Sequence, residues 1–253
     1  MSATPILSVQ NVSVDIDRKT ILKNINFEIF PGESVALIGP SGSGKSTLLN
    51  ILTKTIQPTQ GEVFIDGRPS VDISHSKEYA KYIGIIHQQF DLIKELPVIH
   101  NVLAGRLNEW GFWKSFWSLI HPQDSQQALA ALDQLGIGDK AKQVTASLSG
   151  GEQQRVAMAR LVLQNPKIVL ADEPVSALDP TKAQEVLSLL KSLVDKGDKT
   201  LITSIHSVDY IDQYFDRVIA LKDGQVCFDK STQELTPLDL ETLYGRGGKP
   251  HDI

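Results

Sequence analysis

One cysteine, Cys227, is all that the 253 residues contain. An internal disulfide is therefore impossible, and a reducing compartment is the expected one. No apolar run approaches the ~18 residues that mark a membrane-spanning helix. Met1 to Ile6 shows no basic segment leading into a long apolar core, so no secretory signal is expected. Positive charge is not in excess. The net charge of −5 argues against a broad nucleic-acid-binding face, and no nucleic acid is expected as a partner. Internal repeats and low-complexity tracts are also missing. What remains, 41% hydrophobic and 22% charged, is the composition of an ordinary globular protein, and the length suits one large domain or two small ones. The cytoplasm is the expected location, with docking as the route to a membrane.

The stretch Gly39-Pro40-Ser41-Gly42-Ser43-Gly44-Lys45-Ser46-Thr47 organises the rest. A glycine, four residues and Gly-Lys-Ser is the P-loop spacing. It stands between an apolar strand-like run, Val35 to Ile38, and a helix-like run from Leu48 to Leu52. Gly42 and Gly44 permit a tight turn that aims successive N–H groups at one point. Those groups sit at a helix N-terminus, where the dipole also favours an anion. Such a cradle holds nucleotide phosphates. Lys45 is placed to reach the β- and γ-phosphates, Ser46 to ligate Mg²⁺, and Thr47 to help hold the α-phosphate.

Before the P-loop, Leu7 to Ile16 alternates with one slip at Gln10-Asn11, and Ile25, Phe27 and Ile29 continue the period of two, so two antiparallel strands are predicted. After it, Glu62 to Ile65 reads as a short strand closed by an Asp66-Gly67 turn. From about Phe90 helical signals take over. Trp110, Trp113 and Trp117, with Phe112 and Phe116 nearby, recur at helical spacing and read either as core or as a docking face. A helix from Asp124 to Leu135 is predicted to turn Ala128, Leu129, Leu132 and Leu135 inward and to stop at Gly136. Ile168 to Ala171 and Thr200 to Ile205 read as buried parallel strands, and Arg217 to Phe228 as a hairpin about Asp223-Gly224.

Asp172-Glu173 directly follows one of these strands. A carboxylate at the end of a strand beside the P-loop strand suits a Mg²⁺ site, the role given to Asp172. Glu173 is placed to orient or deprotonate the attacking water. A helix cap is the competing reading. Leu148-Ser149-Gly150-Gly151-Glu152-Gln153 opens a second helix and offers a second anion cradle. With one γ-phosphate already held by Lys45, that loop points to a head-to-tail pair, each copy closing over the nucleotide of the other.

These motifs in this order, with Gln88 after a strand, Ser176-Ala177-Leu178-Asp179 after the Asp-Glu pair, and His206 after a later strand, resemble an ABC-transporter ATPase subunit over nearly the whole chain. The resemblance implies an α/β P-loop NTPase of RecA-like type, with a mainly parallel sheet, an N-terminal antiparallel β subdomain and an inserted α-helical subdomain. It implies one ABC ATPase domain over 1–253. Residues 1–88 and 164–230 would form the nucleotide-binding core, 89–163 the helical subdomain and 231–253 a C-terminal tail. ATP and Mg²⁺ are the implied cofactors. Gln88 corresponds to the glutamine that contacts the metal and the water, and His206 to the histidine that holds the γ-phosphate and the water. Asp179 corresponds to an aspartate across a dimer interface, and Ser149, Gly150, Gly151 and Glu152 to the loop that meets the nucleotide in trans. At the position where the family often stacks an aromatic ring on adenine, this chain has Ile16, and His87 stands where phenylalanine is usual.

Gln88 to Ile93, Asn101 to Leu107, the aromatic insert from Asn108 to His121 and Ala171 to Ser176 are similar, within that family, to ATPases of phosphonate and phosphite importers. Importers of polar amino acids or phosphate, and exporters of lipoprotein or macrolide, are the alternatives. A soluble ABC ATPase is a further one, although a coiled-coil insertion, zinc cysteines and a second cassette are all lacking. The implied partners are a second copy, integral-membrane permease subunits and, indirectly, a periplasmic or extracellular solute-binding protein. The implied location is the cytoplasmic face of the inner membrane, peripherally bound.

Overall fold

The computed structural model describes residues 4–110, 124–176, 178–195 and 199–245. The chain divides into two compact units, residues 1–74 with 168–253, and residues 75–167.

The first unit opens with β1 (Leu7–Ile16) and β2 (Lys19–Ile29), a hairpin closed by Asp17 and Arg18 at φ of +49° and +65°. Two successive positive φ values match the right-handed strand twist. The slip at Gln10-Asn11 is a bulge: the pairing of β1 with β2 shifts between Val9 and Val12, and Asn11 takes φ +51°. Then come β3 (Ser34–Ile38), the P-loop, α1 (Lys45–Leu52), β4 (Gln60–Ile65) and β5 (Arg68–Pro69). The strands β2-β1-β4-β5 make one antiparallel sheet. Gly61 of β4 lies against the bulge, where a Cβ would sit 2.3 Å from the Asn11 carbonyl oxygen. The Asp66-Gly67 turn forms as read, with positive φ at both residues.

The second unit carries α2 (Ser76–Tyr82), β6 (Ile83–Ile86), α3 (Val98–Leu103), α4 (Ser125–Gln134) and α5 (Gly150–Gln164). Helix α4 buries Ala128, Ala131, Leu132 and Leu135, whereas Leu129 is exposed. At about 100° per residue, Leu129 falls at the edge of the stripe that the other four define, so its predicted inward position is corrected. Gly136 stops the helix at φ +69°, with Ile137 N–H reaching back to the Leu132 carbonyl in a Schellman pattern. Trp110 is buried and its indole N–H donates to Asp124 at 3.0 Å. Trp113 and Trp117, with Phe112 and Phe116, lie outside the described residues.

The first unit resumes with β7 (Ile168–Asp172), α6 (Pro180–Asp195), β8 (Thr200–Ser204), α7 (Ile211–Tyr214), β9 (Arg217–Lys222), β10 (Gln225–Ser231) and α8 (Pro237–Tyr244). Its second sheet runs β10-β9-β3-β8-β7, parallel except for the β9–β10 hairpin. Strands β3 and β8 are buried throughout, as apolar runs covered on both faces must be. Strand β7 is not beside β3; β8 lies between them. The expected adjacency is thus corrected by one strand, and that strand supplies a residue to the site.

Candidate functional site

The carboxyl ends of β3, β8 and β7 open on one side of the sheet, where open α/β sheets bind ligands. After β3 the backbone takes φ +150° at Gly39, +76° at Gly42 and +104° at Gly44. A Cβ on Gly39 would stand 2.1 Å from the Leu221 carbonyl oxygen, and one on Gly44 would meet Leu22 at 2.5 Å. At Gly42 a Cβ would meet nothing within 4 Å. The loop is therefore packed behind and open in front. It runs into α1 with Gly44 as the cap, and no side chain caps the free N–H groups there. That geometry fits a polyphosphate. Lys45 is buried, with its ammonium donating to the Gly39 carbonyl at 2.8 Å and the Pro40 carbonyl at 3.2 Å. Burial pulls its pKa below the ordinary lysine value, against the opposing pull of Glu173 and then Asp172.

Asp172 ends β7 and faces the loop. Its Oδ1 accepts from the Ser46 hydroxyl at 3.2 Å and from the Ser204 hydroxyl at 2.7 Å. Ser46 and Asp172 thus bring two hard oxygens together beside the loop, and these would hold a Mg²⁺ there, directly or through water. No cluster of three or more His, Cys, Asp or Glu side chains that could hold a metal exists among the described residues. A Mg²⁺ held here would take its remaining ligands from phosphate and water, the mode that this ion prefers.

Glu173 takes φ +47°, a conformation that a long side chain rarely adopts. Its N–H donates to Ser204 Oγ at 2.8 Å, and its Oε1 lies 2.5 Å from His206 Nε2. Ser204, fully buried at the end of β8, thus takes the Glu173 N–H and gives its own proton to Asp172. Ser204 was missed by sequence reasoning. The available signal was a hydroxyl closing an apolar strand whose parallel register sets Ser204 opposite Asp172. A cleft of about 770 Å³ takes in Gly39, Ser41, Glu173, His206 and Tyr244.

The remaining site residues divide between the units. Ile16 sits at the tip of the first hairpin, paired with Lys19, and is 38% exposed. Asp179 caps α6, accepting from the Lys182 N–H at 3.1 Å and the Lys182 ammonium at 2.8 Å. The bond to the Lys182 side chain leads the causes that hold its carboxyl below the usual range. Gln88 belongs to the second unit, in a turn where Phe90 and Asp91 have φ of +60° and +45°. Arg160 of α5 fastens that turn by donating to the Phe90 and Asp91 carbonyls at 2.9 and 2.8 Å. Ser149 caps α5 in a capping box. The Glu152 carboxylate accepts from both the Ser149 N–H and hydroxyl at 2.8 Å, and Ser149 Oγ accepts the Glu152 N–H at 3.4 Å. Gly150 and Gly151 form the first turn, with open space where side chains would stand.

Taken together, the first unit holds a loop with the geometry of a phosphate cradle and a lysine inside it, two hard oxygens side by side, and a carboxylate–imidazole pair on the same cleft. This is the equipment of a P-loop nucleoside triphosphatase. Comparison with known proteins narrows the class. The ABC transporter family matches residues 22–176, more than half of the chain. A phosphonates import ATP-binding protein from Nostoc is 43% identical over 97% of this chain and 94% of its own length. One from Lactobacillus acidophilus is 38% identical over 98% and 97%. Among solved structures, a dimeric ATP-binding cassette in a post-hydrolysis state with ADP and Pi has a TM-score of 0.76 and 33% identity, covering 90% of this chain and all of its own. Another, cbiO1 of a cbiONQ transporter complex from Clostridium perfringens, has a TM-score of 0.77 and 28% identity, covering 91% and 90%. The chain belongs to the ABC transporter family, as its ATP-binding and ATP-hydrolysing cassette. No helix among the described residues is long and apolar enough to cross a membrane.

Proposed function

We propose that this cassette energises import of phosphonate, phosphite or a related phosphorus oxyanion. The observation that carries the reading is near-full-length similarity to proteins named as phosphonate import ATPases. It works as one ABC ATPase domain, its core formed by 1–88 and 164–230, its helical subdomain by 89–163 and its tail by 231–253. Two copies sandwich ATP head to tail. They attach peripherally to membrane permease subunits at the cytoplasmic face of the inner membrane, and a periplasmic or extracellular binding protein delivers the solute.

In this reading, Gly39 to Thr47 hold the phosphates, and Lys45 moves from its own loop carbonyls to the β- and γ-phosphates. Ser46, Asp172 and Gln88 hold Mg²⁺, which neutralises charge on the phosphates when bound. Glu173 orients the attacking water and takes its proton, and His206, already at Glu173, holds the γ-phosphate side. Ser149, Gly150, Gly151 and Glu152, with Asp179, close the site from the second copy, and Ile16 packs on adenine. ATP shifts the pair toward closure because the closed pair binds it better, and hydrolysis reopens it.

The test is growth of a strain deleted for this gene on phosphate, methylphosphonate or phosphite as the only phosphorus source. Growth on methylphosphonate or on phosphite is lost and is restored by the wild type but not by Lys45→Ala. Normal growth on all three, with no redundant importer present, removes the phosphorus-oxyanion assignment and leaves the ATPase standing.

A further inference from the structure

Two buried hydroxyls beside the start of the P-loop make no hydrogen bond, those of Ser43 and Tyr244. Leaving such groups unpaired inside a protein costs stability and calls for an explanation. Ser43 Oγ lies 2.7 Å from where a Gly39 Cβ would be. Tyr244 reaches the same residue from the far end of the chain. The Gly39 N–H faces its phenol oxygen without completing a hydrogen bond, and burial pushes the phenol pKa up to about 12. Tyr244 also lines the cleft that contains Glu173 and His206.

Tyr244 does not need its hydroxyl to stay in place. It is the last residue of α8, which is capped by a Thr236–Asp239 capping box. Lys230 pairs with Asp239 at 2.6 Å, the Lys222 ammonium donates to the Thr242 carbonyl, and Leu243 is buried. The hydroxyl is thus held against Gly39 by a helix that is fastened at other points. Gly39, for its part, is held by Lys45, whose ammonium takes the Gly39 and Pro40 carbonyls. When Lys45 leaves those carbonyls for a phosphate, the restraint on Gly39 goes with it. The Tyr244 hydroxyl is then the polar group placed to take the Gly39 amide.

We propose that Tyr244 is a positioning residue for nucleotide binding: from the C-terminal helix, its hydroxyl secures the Gly39 amide and with it the first turn of the phosphate cradle. The inference concerns ATP handling and holds whatever solute is transported. Tyr244→Phe keeps the ring and deletes the hydroxyl. In the full chain, calorimetric affinity for AMP-PNP with Mg²⁺ falls about fivefold, the worth of one net hydrogen bond. KM for ATP rises by a similar factor, kcat stays within about twofold, and the melting temperature without nucleotide does not fall. Unchanged affinity and KM would overturn the proposal, as would a fall in kcat alone. A second measurement needs no variant. In the wild type, hydrogen exchange of the Gly39 amide slows on loading with Mg²⁺ and AMP-PNP; an amide that exchanges equally fast in both states refutes the clamp.

Discussion

Ser204→Ala tests the arrangement of the site most directly, because one atom holds both carboxylate residues. The substitution removes the bond that Ser204 Oγ donates to Asp172 at 2.7 Å and the one it accepts from the Glu173 N–H at 2.8 Å. A hydrogen bond to a charged group contributes ~1.5–3 kcal/mol and a neutral one ~1 kcal/mol, so the loss totals about 2.5–4 kcal/mol. At about 2–4 °C per kcal/mol for a chain of this size, melting falls by roughly 5–15 °C. The functional cost arises at Glu173. Its φ of +47° is a strained conformation, held at the backbone by the Ser204 bond. Without that bond the Glu173 carboxylate drifts from its place at His206, and a barrier increase of ~1.4–2.8 kcal/mol lowers kcat about 10- to 100-fold. The assays are steady-state ATP hydrolysis and thermal denaturation of the purified chain. A kcat within twofold of wild type, with melting lowered as stated, would reduce Ser204 to a structural bond and refute its role in placing Glu173. No change in either would refute the two bonds themselves.

Lys45→Met removes a buried charge whose pKa burial has lowered. Between that lowered value and the ordinary 10.5, the unfolded chain binds a proton that the folded chain does not, so wild-type stability climbs as pH rises through the window. Below the window the folded state bears the full cost of the buried charge. The Met variant therefore lacks this contribution to the climb toward pH 10.5 and hydrolyses no ATP; a climb as steep as that of the wild type contradicts this. Gly39→Ala forces a Cβ to within 2.1 Å of a backbone oxygen and destabilises by at least ~3 kcal/mol, seen as lost ATP binding together with a large fall in melting temperature. Glu173→Gln lowers hydrolysis by ~10² or more and accumulates an ATP-bound dimer on gel filtration; rapid turnover would sink the assignment of Glu173 as the base.

The parts of this molecule legible in the sequence are those whose physics is local. The P-loop strand, turn and helix lie within a few residues of one another. The Asp66-Gly67 and Asp223-Gly224 turns need positive φ, and each pair supplies it. The bulge announces itself as a broken alternation at Gln10-Asn11. Strand order is another matter. That β8 separates β3 from β7 depends on crossovers over more than a hundred residues, and no period in the sequence reports it. Ser204 was hidden for the same reason, since a serine after Leu201, Ile202 and Thr203 becomes informative only when Asp172 is known to lie opposite it. Tyr244 likewise sits 205 positions from Gly39 in the chain, beyond the reach of any motif.

The Ser149 loop shows where a local reading stops short. Two glycines opening a helix promised exposed N–H groups and an anion site. The structure gives the Ser149 N–H and hydroxyl to Glu152 instead, and those bonds, the backbone one first, hold the Glu152 carboxyl below its usual range. A carboxylate at that helix end already satisfies the dipole and repels a second anion. For Ser149 to donate to a phosphate it must exchange one negatively charged acceptor for another. That exchange is unfavourable for a free anion met in solution. It becomes favourable when the phosphate arrives fixed and partly neutralised, on another cradle with its own lysine. In the proposed head-to-tail pair, a loop closed on itself in this way would answer ATP presented by the second copy and ignore inorganic phosphate. Titration of the isolated chain with millimolar phosphate accordingly leaves the exchange of the Ser149 amide unchanged, and protection by phosphate alone would show the loop to be a general anion site.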